Sequence, residues 1–144
     1  MSIPALSIVI PAFNEAASIE DVVKEAISVF SEGLESFEII VVDDGSDDDT
    51  AGALGPLSEA DPRVRVIRHP NRSGKSAGLR TGFLAARAVW VATMDGDGQD
   101  DPRSVLEMSQ AIDLTKVDTV GVVAGCRQNR TDGSNRKFAS RLAN

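Results

Sequence analysis

The chain has 144 residues, a formal net charge of −7 and a single cysteine, so it suits one compact domain that buries roughly 70% of its unfolded surface without an intrachain disulfide. The acidic balance excludes a general nucleic-acid binder, which carries a basic face. No apolar run approaches the ~18 residues of a membrane span, and residues 1–6 lack the flank and core of a signal peptide, so the expectation is a soluble, cytoplasmic chain with no nucleic acid among its partners.

In chain order, residues 6–10 are a short apolar run ended by Pro11 and read as a buried strand. Asn14 or Ser18 caps the helix that follows, with Asp21 three residues after Ser18. Ile19, Val22, Val23, Ala26, Ile27 and Phe30 recur at helical spacing, and Gly33 marks the stop. Residues 37–42 form a second strand, apolar on both faces except Glu38. Residues 50–57 begin a helix that Gly52, Gly55 and Pro56 weaken. Residues 64–68 alternate as a third strand. Residues 73–87 are helical in pattern, with Leu79, Phe83 and Ala86 on one face. Phe30, Phe83 and Trp90 read as core. Residues 89–94 are a fourth strand. Asp101 caps a helix whose first residue is Pro102 and which runs to about residue 114. Residues 117–124 are a fifth strand, and the remainder is polar and basic.

Strands alternating with helices through short links predict an α/β domain with a Rossmann-like, open, mainly parallel sheet and helices on both faces. Ligands of such sheets bind beyond the carboxyl ends of the strands. The three least ordinary segments fall at those ends: residues 11–15 after the first strand, 43–46 after the second, and 95–101 after the fourth.

Asp95-Gly96-Asp97-Gly98-Gln99 places three oxygen donors at alternate positions, which share a direction in an extended segment. Mg²⁺ or Mn²⁺ takes such donors and keeps room for substrate phosphates. The competing reading is a solvated acidic turn. A calcium loop of the EF-hand type is rejected, since its sixth and twelfth positions hold Asp100 and Leu106 in place of glycine and glutamate. Asp43-Asp44-Gly45-Ser46 offers a carboxylate to the N–H groups of a base or to ribose hydroxyls, or else is a capped turn. Gly74-Lys75-Ser76 is not a phosphate-binding P-loop, because His69 stands where that motif needs its first glycine. Lys75 therefore lines a site or sits in solvent, and His69, the sole histidine, reads as structural. Cys126 has no partner for metal or catalytic work. Arg127, Arg130 and Arg136 begin where the fifth strand ends, and arginine clasps phosphate in a fork that lysine cannot match.

Taken together, Ile8-Val9-Ile10-Pro11-Ala12-Phe13-Asn14-Glu15, Val41-Val42-Asp43-Asp44-Gly45-Ser46, the segment from Met94 to Pro102, and Gly125-Cys126-Arg127 with Arg130, Asp132, Arg136, Ser140 and Asn144 resemble the family 2 glycosyltransferases of the GT-A fold. Within it they are most similar to the polyprenol-phosphate glycosyltransferases, dolichol-phosphate mannose synthase included. The resemblance covers essentially the whole chain. It implies a metal-dependent, inverting transfer of a sugar from a UDP- or GDP-sugar to undecaprenyl or dolichyl phosphate, in cell-envelope or glycolipid biosynthesis. It places Pro11, Phe13, Glu15, Val42, Asp44, Asp95, Gly96 and Asp97 around the nucleotide, and Asp95, Asp97 and Gln99 on Mg²⁺ or Mn²⁺. Arg127 falls on phosphate, and Arg130 and Arg136 on the acceptor side.

No catalytic base is named, because the acceptor phosphate is already anionic. A nucleotidyltransferase and a non-catalytic nucleotide-binding fragment are the alternatives; the first would show a glycine-rich basic loop where Pro11–Glu15 stands. The resemblance also implies amphipathic or membrane-spanning helices that residues 1–144 do not supply. The expectation is a single donor-binding domain that transfers sugar poorly by itself, a longer form working on the cytoplasmic face of the membrane.

Overall fold

The computed structural model describes residues 3–112. Within them the elements alternate as β1 (Leu6–Ala12), α1 (Ile19–Gly33), β2 (Phe37–Asp43), α2 (Thr50–Ala60), β3 (Val64–Arg68), α3 (Lys75–Ala85), β4 (Trp90–Thr93) and α4 (Pro102–Gln110). The strands form one sheet in the order β3-β2-β1-β4, and every neighbouring pair is parallel. The strand expected over residues 117–124 lies outside the described residues. Among the described residues no helix is long and apolar enough to cross a membrane.

Helices cover both faces of the sheet, as the alternation predicts. Ile8, Ile10, Ala12, Ile39 and Val41 pack with Ile19, Val23, Ala26 and Phe30 of α1, Leu54 of α2 and Val105 of α4. Val9, Ile40 and Val42 point the other way, against Leu79 and Ala85 of α3. All seven residues of β2 are buried, including Glu38. Burial pushes the Glu38 carboxyl up, but the Arg87 amide, the Ser7 hydroxyl and the Arg65 guanidinium donate to it at 2.7, 2.7 and 2.9 Å and hold it below its ordinary value. One buried charge thereby ties β1, β2, β3 and the α3–β4 link together.

Three expectations are corrected, and the helix read over residues 50–57 is present and longer. Pro11 does not end β1. Met94 donates its N–H to the Val9 carbonyl at 3.1 Å, so Val9 faces β4, and Pro11, two residues on, faces the same side. Paired residues of β4 stop at Thr93, opposite Val9, so the missing N–H of Pro11 removes no ladder bond. Helix α2 runs through Gly52, Gly55 and Pro56 to Ala60. Buried Leu54 and Leu57, worth about 1.5–3 kcal/mol each, offset a proline penalty of about 3 kcal/mol. Helix α4 has the expected Asp101 cap, whose carboxylate accepts from the Arg103 amide at 2.9 Å, but it ends at Gln110 rather than near residue 114.

The third correction concerns α3. Phe83, expected in the core, is 48% exposed, and Trp90 is only partly buried. The buried positions of α3 are Gly78 and Gly82. A Cβ on Gly82 would lie 2.2 Å from Val9 Cγ1. The helix approaches the sheet closely because it has no side chain there, which the apolar pattern of the sequence cannot reveal.

Gly82→Ala sets two opposed terms against each other. Helix propensity favours alanine by about 1 kcal/mol. Overpacking against Val9, a buried and β-branched side chain with little freedom at χ1, costs about 1–3 kcal/mol. The expected outcome is a net loss of up to about 2 kcal/mol in urea denaturation with helix content unchanged by circular dichroism; a stabilised variant would show that α3 sits farther from the sheet.

Candidate functional site

The carboxyl ends of β1, β2 and β4 carry loops that are bonded to one another. After β1, Asn14 adopts a left-handed backbone conformation with φ +56°, which turns the chain across the end of β2. Its amide donates to the Ser46 hydroxyl and its side-chain oxygen accepts from the Asp47 amide, both at 3.0 Å. The Glu15 amide donates to Thr50 Oγ1 at 2.9 Å, and the Ala16 amide to Asp48 Oδ2 at 3.1 Å. The turn after β2 is fixed from within: Asp43 Oδ1 accepts from the Ser46 amide at 2.9 Å. Arg68 Nε lies 3.3 Å from Asp43 Oδ2, near enough for charge pairing but without hydrogen-bond geometry.

Ser18 stands at the N-cap of α1 as expected, but its hydroxyl does not cap the helix. It donates to the Gly96 carbonyl at 2.8 Å and lies 3.3 Å from Glu15 Oε2. The β1 loop is thus joined to the acidic segment after β4. That segment is a turn, with Gly98 at φ +78°, and not the extended run that would align alternate side chains. Asp97 Oδ1 accepts from the Gln99 amide, and Asp100 Oδ2 from the Asp95 amide, both at 2.9 Å. Gly96 is pressed between Ile19, Ala12 and the Pro11 carbonyl, where an added Cβ would come within 3.1–3.5 Å.

Electrostatics report the convergence. The Glu15 carboxyl is raised above its ordinary value, first by burial and then by the charges of Asp97, Asp48 and Asp95, against the lowering hydrogen bond from Ser18. Negative charge is therefore in excess at this edge. No group of three acidic, histidine or cysteine side chains converges to hold a metal among the described residues. The donor chemistry still fits a hard divalent cation that takes one or two carboxylates and completes its shell with water and phosphate oxygens. Asp95 and Asp97 are the carboxylates so placed, and Gln99, in the same turn, is exposed.

The expected site residues divide into three sets. Glu15, Asp95, Gly96 and Asp97 come together at the sheet edge, with Pro11 beneath them, and Phe13 lies on the same β1 loop, two residues before Glu15. Val42 is fully buried against α3. The Asp44 side chain is only 4% exposed and its oxygens are already engaged: Oδ1 accepts from His69 Nδ1 at 2.7 Å and from the Ser73 amide at 2.9 Å, and Oδ2 from the Gly74 amide at 2.6 Å. Arg127, Arg130 and Arg136 lie outside the described residues. Two cations join the site: Arg72, which the sequence reading did not assign, from the β3–α3 loop, and Lys75, read as lining a site or solvated, from the start of α3. The Arg72 guanidinium stacks 4.1 Å from the centre of the Phe13 ring, and Lys75 Nζ lies 2.5 Å from Asp95 Oδ1. Nothing in their spacing singles them out; the buried hold of Asp44 on Ser73 and Gly74 brings them there.

Known proteins are similar to this chain in sequence and fold. The family described as glycosyl transferase family 2 matches residues 7–143. The chain is 34% identical over 145 aligned positions to undecaprenyl-phosphate 4-deoxy-4-formamido-L-arabinose transferase of Sodalis glossinidius, a match covering 100% of this chain and 43% of that protein. It is 33% identical over 141 positions to dodecaprenyl-phosphate galacturonate synthase of Rhizobium johnstonii, covering 96% and 41%. The chain thus spans about two-fifths of the length of these curated relatives. Among solved structures it is similar to a mannosyltransferase of Pyrobaculum calidifontis in complex with GDP-Man and Mn²⁺ (TM-score 0.58, 27% identity, 67% of this chain and 28% of that one). It is also similar to glucosyl-3-phosphoglycerate synthase of Mycobacterium tuberculosis in complex with Mn²⁺, UDP-Glc and phosphoglyceric acid (TM-score 0.55, 32% identity, 71% and 36%). The expected GT-A fold agrees with these neighbours.

Burial alone would push the Asp44 carboxyl up, but His69 and the Ser73 and Gly74 amides together hold it below its ordinary value. Its folded pKa is therefore lower than its unfolded one, and the stability it contributes is present above the unfolded value and lost as pH falls through the folded one. Asp44→Asn is expected to cost about 1–3 kcal/mol near neutrality, since an amide cannot accept all three bonds. In urea denaturation the gap between parent and variant should hold steady down to about pH 5 and narrow as pH falls below that, through the lowered folded value. A gap independent of pH would show that the charge of Asp44 is not what holds the loop.

Proposed function

The chain belongs to glycosyl transferase family 2, and from that premise we propose that it binds a UDP- or GDP-sugar for transfer to a polyprenyl phosphate. The observation that carries this reading is the meeting of Glu15, Asp95 and Asp97 at the strand ends, with Lys75 paired to Asp95 and with Phe13, on the same loop as Glu15, stacked by Arg72. An aromatic face, clustered carboxylates and flanking cations match the parts of a nucleoside diphosphate: a flat base, and phosphates that approach acidic groups only with a cation between. The proteins whose names specify undecaprenyl- and dodecaprenyl-phosphate products support the lipid acceptor, and the neighbours solved with GDP-Man or UDP-Glc and Mn²⁺ support the donor and the metal.

In this reading Pro11 and Phe13 face the base, and the Asp44-held loop presents Arg72 over that aromatic face. Glu15, Asp95 and Gly96 border the ribose and diphosphate. Asp95, Asp97 and Gln99 hold Mg²⁺ or Mn²⁺, which when bound neutralises charge on the departing nucleotide. Arg127, Arg130 and Arg136 clasp donor and acceptor phosphates, orienting the acceptor toward the anomeric carbon. An anionic phosphate acceptor attacks without a strong general base. The membrane surface enters as partner through the lipid.

Asp97 is exposed, so Asp97→Ala tests the donor site with little risk to the fold. Calorimetry with UDP and GDP, each with and without Mn²⁺, is expected to show the metal-assisted part of the affinity falling by about tenfold or more, near 1.4 kcal/mol, with an unchanged circular dichroism spectrum. Metal-assisted affinity equal to the parent's would remove Asp97 from the site.

A further inference from the structure

Lys75 is the first residue of α3, and its position is not left to a free loop. The preceding residue, Gly74, has φ +94° and donates its amide to buried Asp44 at 2.6 Å. From this fixed origin the side chain reaches across to Asp95, with Nζ 2.5 Å from Oδ1. The pair joins the β3–α3 loop to the turn after β4, two segments 20 residues apart in sequence. Among the described residues no other cation is paired with Glu15, Asp48, Asp95 or Asp97, the carboxylates whose charges meet at this edge.

Two features make this pair exchangeable and not structural. Both side chains are open to solvent, 60% for Lys75 and 38% for Asp95, so the ammonium can leave without a buried charge being stranded. An exposed ion pair of this kind contributes little to folding. It also occupies an oxygen that a hard divalent cation would need. A cation and an ammonium cannot share the same face of one carboxylate without repelling each other.

Building on the donor-site reading above, we infer that Lys75 is a resident counter-ion of Asp95 that competes with the divalent cation until a diphosphate arrives. Without nucleotide the ammonium neutralises Asp95 and weakens cation binding. When a nucleoside diphosphate enters, its phosphate oxygens offer the ammonium a better partner, and Asp95 is released to the metal. Lys75 thereby couples the two ligands, so that each strengthens the other by the same factor. The coupling keeps the acidic edge from binding a bare cation.

The test is binding of Mn²⁺ alone, of UDP or GDP alone, and of the two together, followed by calorimetry and by the electron paramagnetic resonance signal of free Mn²⁺. It compares the 144-residue chain with Lys75→Met and Lys75→Arg. The expected result is that Lys75→Met binds Mn²⁺ without nucleotide about two- to five-fold more tightly than the parent, the range of an exposed ion pair. The factor by which UDP or GDP tightens Mn²⁺ binding should shrink in that variant, while Lys75→Arg, which keeps the charge, stays near the parent. Lys75→Met binding Mn²⁺ alone no more tightly than the parent would overturn the inference with the donor-site reading intact. A parent whose Mn²⁺ affinity does not respond to either nucleotide would overturn the donor-site reading, and the inference with it.

Discussion

The Asp44 carboxylate is buried at the end of β2 and accepts from His69, Ser73 and Gly74 at once. A carboxylate so placed is costly unless every lone pair in use has a donor, and the donors here come from one loop. Meeting that requirement therefore sets the path of residues 69–74. His69 is held in turn, its Nε2 2.8 Å from Thr81 Oγ1 on α3 and its amide donating to the Asp43 carbonyl at 2.9 Å. Gly45, with φ +71°, lies so close to Asn71 and Arg72 that a Cβ would meet their backbone within 2.6–3.0 Å. The loop rests on the turn, and from it Arg72 and Lys75 extend to Phe13 and Asp95.

A second constraint is charge. The sheet edge gathers Glu15, Asp48, Asp95 and Asp97 closely enough that their mutual repulsion, added to burial, raises the Glu15 carboxyl. Such an arrangement costs stability, and it persists because hydrogen bonds outside the carboxylate cluster over-determine it. Ser18 holds Gly96, Thr50 holds the Glu15 amide, and Asn14 and Ser46 bond the first two loops together. A cation with bound phosphates relieves the repulsion. The site is thus built of hydrogen-bonded backbone under solvent-accessible carboxylates, an arrangement compatible with a ligand that brings both a metal and anionic groups.

Much of this fold is legible in the sequence because burial on both faces leaves an unmistakable pattern. Residues 37–42 and 64–68 read as strands and are strands, and Asp101-Pro102 marks a helix start by chemistry that needs no tertiary context. What was not legible depends on partners distant in sequence. Pro11 stays within β1 because β4 is shorter than β2, which only the sheet order reveals. Helix α3 buries glycines where the apolar pattern pointed to Phe83. The acidic run after β4 turns at Gly98, so alternate spacing did not describe its side chains. For the site, the strand-end segments stood out by composition, whereas Arg72 did not and Lys75 was left between a site and solvent, since a basic residue in or beside a loop looks solvated until the loop's anchor is known.

The central claim is that one edge of the sheet, at the carboxyl ends of β1, β2 and β4, receives a nucleoside diphosphate with a divalent cation. It is tested most directly by backbone amide spectra of the isotope-labelled chain, recorded as UDP or GDP is added with Mg²⁺. The account predicts shifts concentrated at residues 12–18, 43–50, 69–75 and 95–101, with little change at residues 34–37 on the opposite edge. Shifts centred on that opposite edge, or none with either nucleotide, would contradict it.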